Sequence, residues 1–339
     1  MQKIDFVLPW VDGSDEAWLK LKQKYMDSSV HSNDIDATAA WRYKDYGLLK
    51  YWFRGVERFA PWVNRVFFVT CGQKPDWLDE SNPKLRLVNH KEYIPAEYLP
   101  TFQSFTIELN LHRIPDLSEQ FVLFNDDMFL LQPLKPEFFF KKGFPVIPCD
   151  LGIPYWMTND NIGHIIFNDF MLLRRSIDVE RLVWKNIWKF IDVRSLGFSR
   201  SVKNFLVFAI TRTIFQGDFG HMPYSHLKST FEEIWCKRHD EMDRASRNRF
   251  RCDDCICHWL ACAWNMVSGR FFPANEERRR VFFLVNQRFT PEIRKTIQQQ
   301  SFPTICLGDK ANPSELEQCF AEVSGEFDKL FPEKSSFEK

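Results

Sequence analysis

The clearest local chemistry lies at Asp126-Asp127. The pair follows QFVLFN at 120–125, a run rich in β-formers that reads as a strand. A strand that delivers adjacent carboxylates to a cleft can hold Mg²⁺ or Mn²⁺ against a diphosphate. Hard divalent cations take oxygen ligands, commonly one or two carboxylates plus substrate phosphates. The same pair also suits a plain turn or helix cap. WVDGSD at 10–15 poses the same choice: Asp12 and Asp15 can form a turn and cap, or a nucleotide-recognising loop that approaches closely through Gly13. His221 stands in FGHMPYSHLK, after Gly217 and Gly220. An imidazole on such a loop can be a general acid or base, since its ordinary pKa is near neutrality, or it can be structural. Arg249 and Arg251, in RNRFRCDD, can clamp a phosphate through planar forks of donors, or pair with Asp253 or Asp254. His112-Arg113 follows a predicted helix and can face either way.

These residues need elements to position them. IDFVLPWV at 4–11 reads as a buried strand running into the Asp12–Asp15 turn, with a helix over 16–25. Apolar groups at Leu48, Leu49, Trp52, Phe53, Val56 and Phe59 give helical spacing over 42–59, stopped by Ala60-Pro61. RVFFVTC at 65–71 and LRLVN at 85–89 read as strands, 102–114 as a helix ended by Pro115, and 281–285 as a late strand before a final helix near 314–330. Residues 28–40 are polar and turn-rich, which predicts a mobile loop. Strands alternating with helices predict an α/β domain with a largely parallel sheet, whose ligands bind beyond the carboxyl ends of the strands. Asp12, the Gly72 turn and Asp126-Asp127 all fall at such ends and can converge in one cleft.

From about 170 to 216 the character changes. Arg and Lys outnumber acids, Trp184, Trp188, Phe190, Phe205 and Phe208 are interleaved, and two amphipathic helices are predicted. Such a segment is a helical subdomain with a solvated basic face, or one that meets an anionic membrane surface or a lipid-linked acceptor. The chain has 45 Lys+Arg and 45 Asp+Glu, so it lacks the positive excess of a dedicated nucleic-acid binder. The N-terminus shows no signal-peptide pattern and no apolar stretch approaches the ~20 residues that span a bilayer, which predicts a cytoplasmic protein. The nine cysteines then read as reduced thiols. Cys252, Cys255, Cys257 and His258, with Cys236 and His239 upstream, could hold zinc, although the spacing lacks a second distant CxxC pair; buried apolar thiols are the alternative.

Taken together, the segments resemble the Stealth family of nucleotide-sugar hexose-1-phosphate transferases, which includes bacterial capsular polysaccharide phosphotransferases and the catalytic subunits of the lysosomal-enzyme GlcNAc-1-phosphotransferase. Four blocks in order carry the resemblance. They are IDFVLPWVDGSDEAW at 4–18; 41–78 with 99–130, which ends in LFNDDMFL; GHMPYSHLKSTFEEIW at 220–235 with RFRCDD at 249–254; and ICLGDK at 305–310 with FPEKSSFE at 331–338. The resemblance implies that an acceptor hydroxyl attacks the β-phosphorus of a nucleotide-sugar, a UDP-sugar by analogy. The nucleoside monophosphate leaves, and the sugar-1-phosphate joins a glycan or lipid-linked oligosaccharide as a phosphodiester. It implies a glycosyltransferase-A-like (Rossmann-like) α/β core, residues 1–170 and 217–339, with a helical insertion at 171–216. Asp126 and Asp127 then match the family's NDD element as metal ligands or orienters of the acceptor hydroxyl, beside Asn125. His221 matches the histidine of its HMP element as base or phosphate stabiliser, and Arg251 would neutralise phosphate charge. Asp12 and Gly13 would touch the nucleotide. Lys50 and Arg54 would contact the diphosphate, Lys50 standing where many relatives have Arg, and Gly308 stands where they often have Asn. The implied setting is surface or capsular polysaccharide assembly, with possible peripheral contact at the inner face of the cell membrane. Two other readings compete: a conventional metal-dependent glycosyltransferase that releases the nucleoside diphosphate, and a non-catalytic glycan-binding protein.

Overall fold

The computed structural model describes residues 3–26, 43–152, 161–211, 220–309 and 313–339. The loop expected at 28–40 lies outside them, as do Gly217 and Lys310. The strands are β1 (Ile4–Pro9), β2 (Val66–Thr70), β3 (Leu85–Asn89), β4 (Gln120–Leu123), β5 (Met128–Leu130), β6 (Phe140–Lys141), β7 (Phe144–Pro148), β8 (Tyr224–Leu227), β9 (Phe272–Ala274), β10 (Arg280–Leu284) and β11 (Thr304–Gly308). The first helices are α1 (Glu16–Met26), α2 (Leu49–Phe59) and α3 (Ser104–Leu109). Five follow in succession: α4 (Asn161–Ser176), α5 (Val179–Lys185), α6 (Ile187–Phe190), α7 (Val193–Leu196) and α8 (Phe198–Thr211). The remainder are α9 (Lys228–Lys237), α10 (His239–Ser246), α11 (Trp259–Val267), α12 (Thr290–Gln299) and α13 (Pro313–Leu330).

The central sheet has the order β3-β2-β1-β4-β8. Its first four strands are parallel, and β8 runs antiparallel to β4. Residues alternate along each strand, and both faces are buried. Val7, Phe67, Val69, Phe121 and Leu123 join one core, while Phe6, Leu8, Val66, Phe68 and Val122 join the other. Burial on both faces is why these strands read as unbroken apolar runs rather than as an alternating pattern. The result is the expected Rossmann-like α/β core. Two smaller sheets, β10-β11-β5 and β6-β7-β9, flank it.

Two expected helices are shorter than their sequence spacing suggests. Helix α2 begins at Leu49 rather than 42, because Gly47 takes a φ of 76°, a left-handed turn that a helix cannot contain. Residues 43–48 thereby stay out of the α-helix, which leaves Tyr43 against Gly13 and Asp45 close enough to act on Asp126. The element expected over 102–114 is α-helical only over α3, then becomes a short 3₁₀ turn at Leu111–Arg113. The helical stretch expected at 171–216 is described from Asn161 to Thr211 as five helices rather than two.

Residues 331–339 fold back over α2 and the strand-connecting segment 77–82. Arg54 makes a two-pronged ion pair to Glu338 (Nε–Oε1 and Nη2–Oε2, both 2.7 Å) and also donates to the Phe331 carbonyl at 2.9 Å. Leu78 and Glu338 form an isolated β-bridge, and Asp79 N donates to the Phe337 carbonyl at 2.8 Å.

Candidate active site

The carboxyl ends of β1 and β4 lie side by side, and each is followed by acid. After β1, Asp12 Oδ1 accepts from Ser14 N at 2.8 Å, and Asp15 caps α1 through Ala17 N and Trp18 N. Gln73, from the turn after β2, ties this loop down. Its Oε1 accepts from Asp12 N at 2.9 Å, and its Nε2 donates to the Asp12 carbonyl and to Asp15 Oδ2. After β4, the turn Asn125–Asp127 leads into β5 and is held where Leu307 N donates to the Asp127 carbonyl at 3.0 Å.

The antiparallel strand supplies the histidine. Leu123 at the end of β4 pairs with Tyr224 at the start of β8, so residues that precede β8 arrive where residues that follow β4 depart. His221 therefore lies beside Asp127. The potential ligand atoms of Asp127, His221 and Cys306 fall within 4.8 Å of one another. His221 is exposed, with its ring stacked on Phe282 at 5.6 Å between centroids. Gly220 has a steric reason: a Cβ there would lie 1.5 Å from Arg280 Nη2 and 2.0 Å from Glu276 Oε1. Its absence admits the Arg280–Glu276 ion pair directly behind His221.

The electrostatics around the turn are one-sided. The Asp126 side chain is exposed to solvent yet has much protein around it. Enclosure by protein, then the carboxylates of Asp127, Asp45 and Asp309, push its pKa up to about 8. Enclosure raises Asp45 as well, and Asp12 adds to that rise. Burial drives Asp127 upward, partly offset by His221 and by the Cys306 thiol, which donates to Asp127 Oδ2 at 3.3 Å. Cys306 stays a neutral thiol, because burial and Asp127 hold its pKa well above the ordinary value. Asp127 Oδ1 is buried and has no hydrogen-bond partner among the described residues. An orphaned carboxylate oxygen within a ring of acids fits a hard divalent cation, with Asp126 and Asp127 as its ligands. Asp45 and Asp309 were not singled out from the sequence, nor were Cys306 and Arg280. Asp309 follows the apolar run ICLG as Asp12 follows IDFVLP and Asp126 follows QFVLF, a shared pattern of strand then acid that could have revealed it.

Other expected site residues are placed elsewhere. Gly13 does allow a close approach, but the space a Cβ would fill is taken by Tyr43, whose carbonyl oxygen would be 2.0 Å from it. Arg54 is committed to Glu338 and Phe331; its side chain is only 10% exposed, so a diphosphate contact is replaced by a structural clamp. Lys50 Nζ sits 4.8 Å from the ring of Tyr51, whose hydroxyl donates to Asp328 on α13. Arg251 lies 4.6 Å over the Phe105 ring on α3 and helps to hold down the pKa of Glu108, which burial pushes up to about 7. Its charge does not figure among those acting on Asp126 or Asp127. His112 is buried, with Nδ1 at 3.1 Å from the Leu109 carbonyl.

The cysteine-rich run does not converge as a zinc site. Cys252 and Cys255 meet each other, Sγ to Sγ at 3.6 Å, and Cys255 donates to Gln103. Cys257 donates instead to Asp169 at 3.0 Å, and His258 Nδ1 lies 3.1 Å from His226 Nε2.

Comparison with known proteins agrees with this picture. The chain matches Stealth protein CR1, conserved region 1, over residues 2–30, and Stealth protein CR2, conserved region 2, over residues 42–146. It is 38% identical over 345 residues to the capsular polysaccharide phosphotransferase WcwK of Streptococcus pneumoniae, covering 100% of both chains. It is 37% identical to the receptor polysaccharide phosphotransferase WefC of Streptococcus gordonii, covering 100% of this chain and 99% of that one. The exopolysaccharide phosphotransferase cps2G of Lactiplantibacillus plantarum is 34% identical over 99% of this chain and 96% of its own. Among solved structures, the galactosyltransferase LgtC with donor and acceptor sugar analogs aligns over 98% of this chain and 96% of its own. At 11% identity and a TM-score of 0.36, that likeness is too remote to carry an argument. The end-to-end identity to its bacterial relatives, together with the two matched regions, makes this chain a member of the Stealth family of polysaccharide phosphotransferases.

Proposed function

We propose that this enzyme transfers an intact sugar-1-phosphate from a nucleotide-sugar, a UDP-sugar by family analogy, to a hydroxyl of a glycan or lipid-linked oligosaccharide in surface or capsular polysaccharide synthesis. The observation that carries the reading is the convergence of Asp127 and His221, next to Asp126, at the carboxyl edge of the sheet, with Asp45 and Asp309 close enough to act on Asp126 and Asp12 close enough to act on Asp45. An acceptor oxygen attacks the β-phosphorus and forms the new O–P bond. The bond from that phosphorus to the bridging oxygen breaks, and the nucleoside monophosphate departs.

His221 takes the hydroxyl proton in this scheme, and the adjoining Asp127 carboxylate stabilises the resulting imidazolium. Cys306 fixes one Asp127 oxygen and leaves the other free. Asp126 and Asp127 would hold Mg²⁺ or Mn²⁺, whose chemistry here is to offset diphosphate charge, and positioning with charge stabilisation is most of phosphoryl-transfer catalysis. Asp12 and Asn125, at the ends of β1 and β4, are the donor-side contacts. The reading assigns no step to Gly13, Lys50, Arg54 or Arg251, whose neighbours are protein groups. It places the enzyme peripherally at the inner face of the cell membrane, where a lipid-linked acceptor is presented.

Mass spectrometry of the nucleotide product tests the reaction. Acceptor-dependent UMP, with a hexose-phosphate mass added to the acceptor, is expected. UDP with a bare sugar mass added would replace this reading with that of a conventional metal-dependent glycosyltransferase.

A further inference from the structure

The helical stretch α4–α8 carries a surface that the reaction does not use. Thirteen large apolar side chains are exposed among the described residues, and nine of them lie here: Phe167, Trp184, Trp188, Val193 and five on α8. Those five are Phe198, Val202, Phe205, Leu206 and Ile210, at spacings of 4, 3, 1 and 4 residues. At 100° per residue they form one stripe along the helix. The opposite side of α8 is the buried one, and it is partly polar: Ser201, Asn204 and Phe208. Asn204 donates to the carbonyls of Cys149 and Phe190 and accepts from Leu151 N. The helix therefore satisfies its polar side inward and presents its apolar side outward, the reverse of a surface helix in a globular protein. Phe198 is 75% and Ile210 80% exposed, so neither end of the stripe is covered by a neighbour among the described residues. Trp184 joins α5 to the same body through an edge contact with Phe208 at 5.0 Å.

The charge on the neighbouring helices α4, α5 and α7 indicates what covers the stripe. Arg175, Arg181, Lys185 and Arg194 are exposed, and their side chains form no ion pair among the described residues. A second copy docking face to face would set these cations against one another, whereas an anionic bilayer neutralises them while its acyl boundary receives the apolar stripe. Trp184 and Trp188 are the side chains enriched at the level of lipid headgroups. No helix among the described residues is long and apolar enough to cross a membrane, so the contact lies in the plane of the interface.

We infer that the outward face of α5–α8 docks on an anionic lipid bilayer, with the α8 stripe entering the headgroup boundary and the four unpaired cations meeting lipid phosphates. The service of this surface to catalysis, presentation of a lipid-linked acceptor, rests on the proposed transfer. The docking itself is measured without donor or acceptor, so either can fail alone.

The test is co-sedimentation of the full chain with vesicles of phosphatidylcholine alone or with about a third phosphatidylglycerol. Binding is expected only to the anionic vesicles, and weakening as salt rises. Arg181→Ser with Lys185→Ser should lower the partition coefficient about 25-fold, at roughly fivefold per cation. Phe205→Ser with Ile210→Ser should abolish binding while circular dichroism stays that of the parent, since both residues are exposed. Failure to bind anionic vesicles at low salt overturns the inference, and so does binding that neither double variant weakens. A parent dimer in light scattering that the Phe205→Ser/Ile210→Ser variant dissolves, with no vesicle binding, would assign the face to self-contact instead.

Discussion

Replacing Arg54 with Ala decides between two roles for one residue. Sequence position suggests a diphosphate contact, but the fold shows a clamp on residues 331–338. Arg54 and Glu338 side chains are only 10% and 5% exposed, and both prongs of the pair measure 2.7 Å. Removing one partner of so enclosed a pair leaves the other charge unpaired, which costs about 3–5 kcal/mol. For 339 residues, the usual ~2.1 cal/mol/K of unfolding entropy per residue gives about 0.7 kcal/mol/K, so Tm should fall by about 4–7 °C. The acid side of the pair sets a pH signature. Burial works to raise the pKa of Glu338, but Arg54 and the Ser335 groups outweigh it and hold the carboxyl below its ordinary value. A depressed carboxyl stabilises fully above its unfolded pKa, near ~4.3, and loses that contribution as pH falls through the folded value. The Tm gap between parent and Arg54→Ala should therefore be full at pH 7 and close in the acid range below about pH 4. Scanning fluorimetry across pH measures the gap, and calorimetry with the nucleotide-sugar measures donor affinity, which should stay within about twofold of the parent. An unchanged Tm combined with a tenfold loss of donor affinity would refute the clamp and restore the diphosphate contact.

Three shorter predictions concern the site itself. EDTA should abolish turnover and Mg²⁺ or Mn²⁺ restore it, while Asp127→Ala should lower kcat by about 10³-fold or more; full activity in EDTA would remove the metal role from the carboxylate pair. His221→Ala should cut kcat by about 10²–10⁴-fold with donor affinity preserved in calorimetry, and lost affinity would make His221 a ligand contact rather than the base. Gly13→Ala forces a Cβ to within 2.0 Å of the Tyr43 backbone, so the loop must shift and Tm should fall by a few degrees; an unchanged melting curve would show that Tyr43 can yield at no cost.

Much of the central sheet could be read directly because its strands are buried on both faces. IDFVLP, VFFVT and QFVL announce themselves as apolar runs, and the loops that follow them carry Asp12 and Asp126. Strand β8 escaped because its sequence is YSHL, in which Ser225 and His226 are buried polar residues that mask a strand to any reading based on hydrophobicity. That omission hid the reason His221 reaches Asp127, since only an antiparallel strand places its preceding residues at that edge. Strand β5 is three residues long, too short for a period to show. Asp45 was hidden because apolar spacing at Leu48, Leu49 and Trp52 suggests a helix reaching back past it, and only the positive φ of Gly47 reveals the break. The clamp at Arg54 was hidden for a different reason. Its partner Glu338 is 284 positions away, and no local pattern encodes a contact of that span.

The returning segment 331–338 also has a consequence for how the chain is made. On the ribosome, β1, α2, β2 and β4 emerge early and can assemble the parallel core with its acidic loops already in place. Yet Arg54 then waits for a partner that is synthesised almost three hundred residues later, and Asp79 waits equally for the Phe337 carbonyl. A nascent chain interrupted between Asp309 and Phe331 would carry the whole carboxylate–histidine cluster without the fastening that holds α2 against segment 77–82. Segment 331–338 thus works as a late latch, closing on α2 and segment 77–82 only after the residues between have been made.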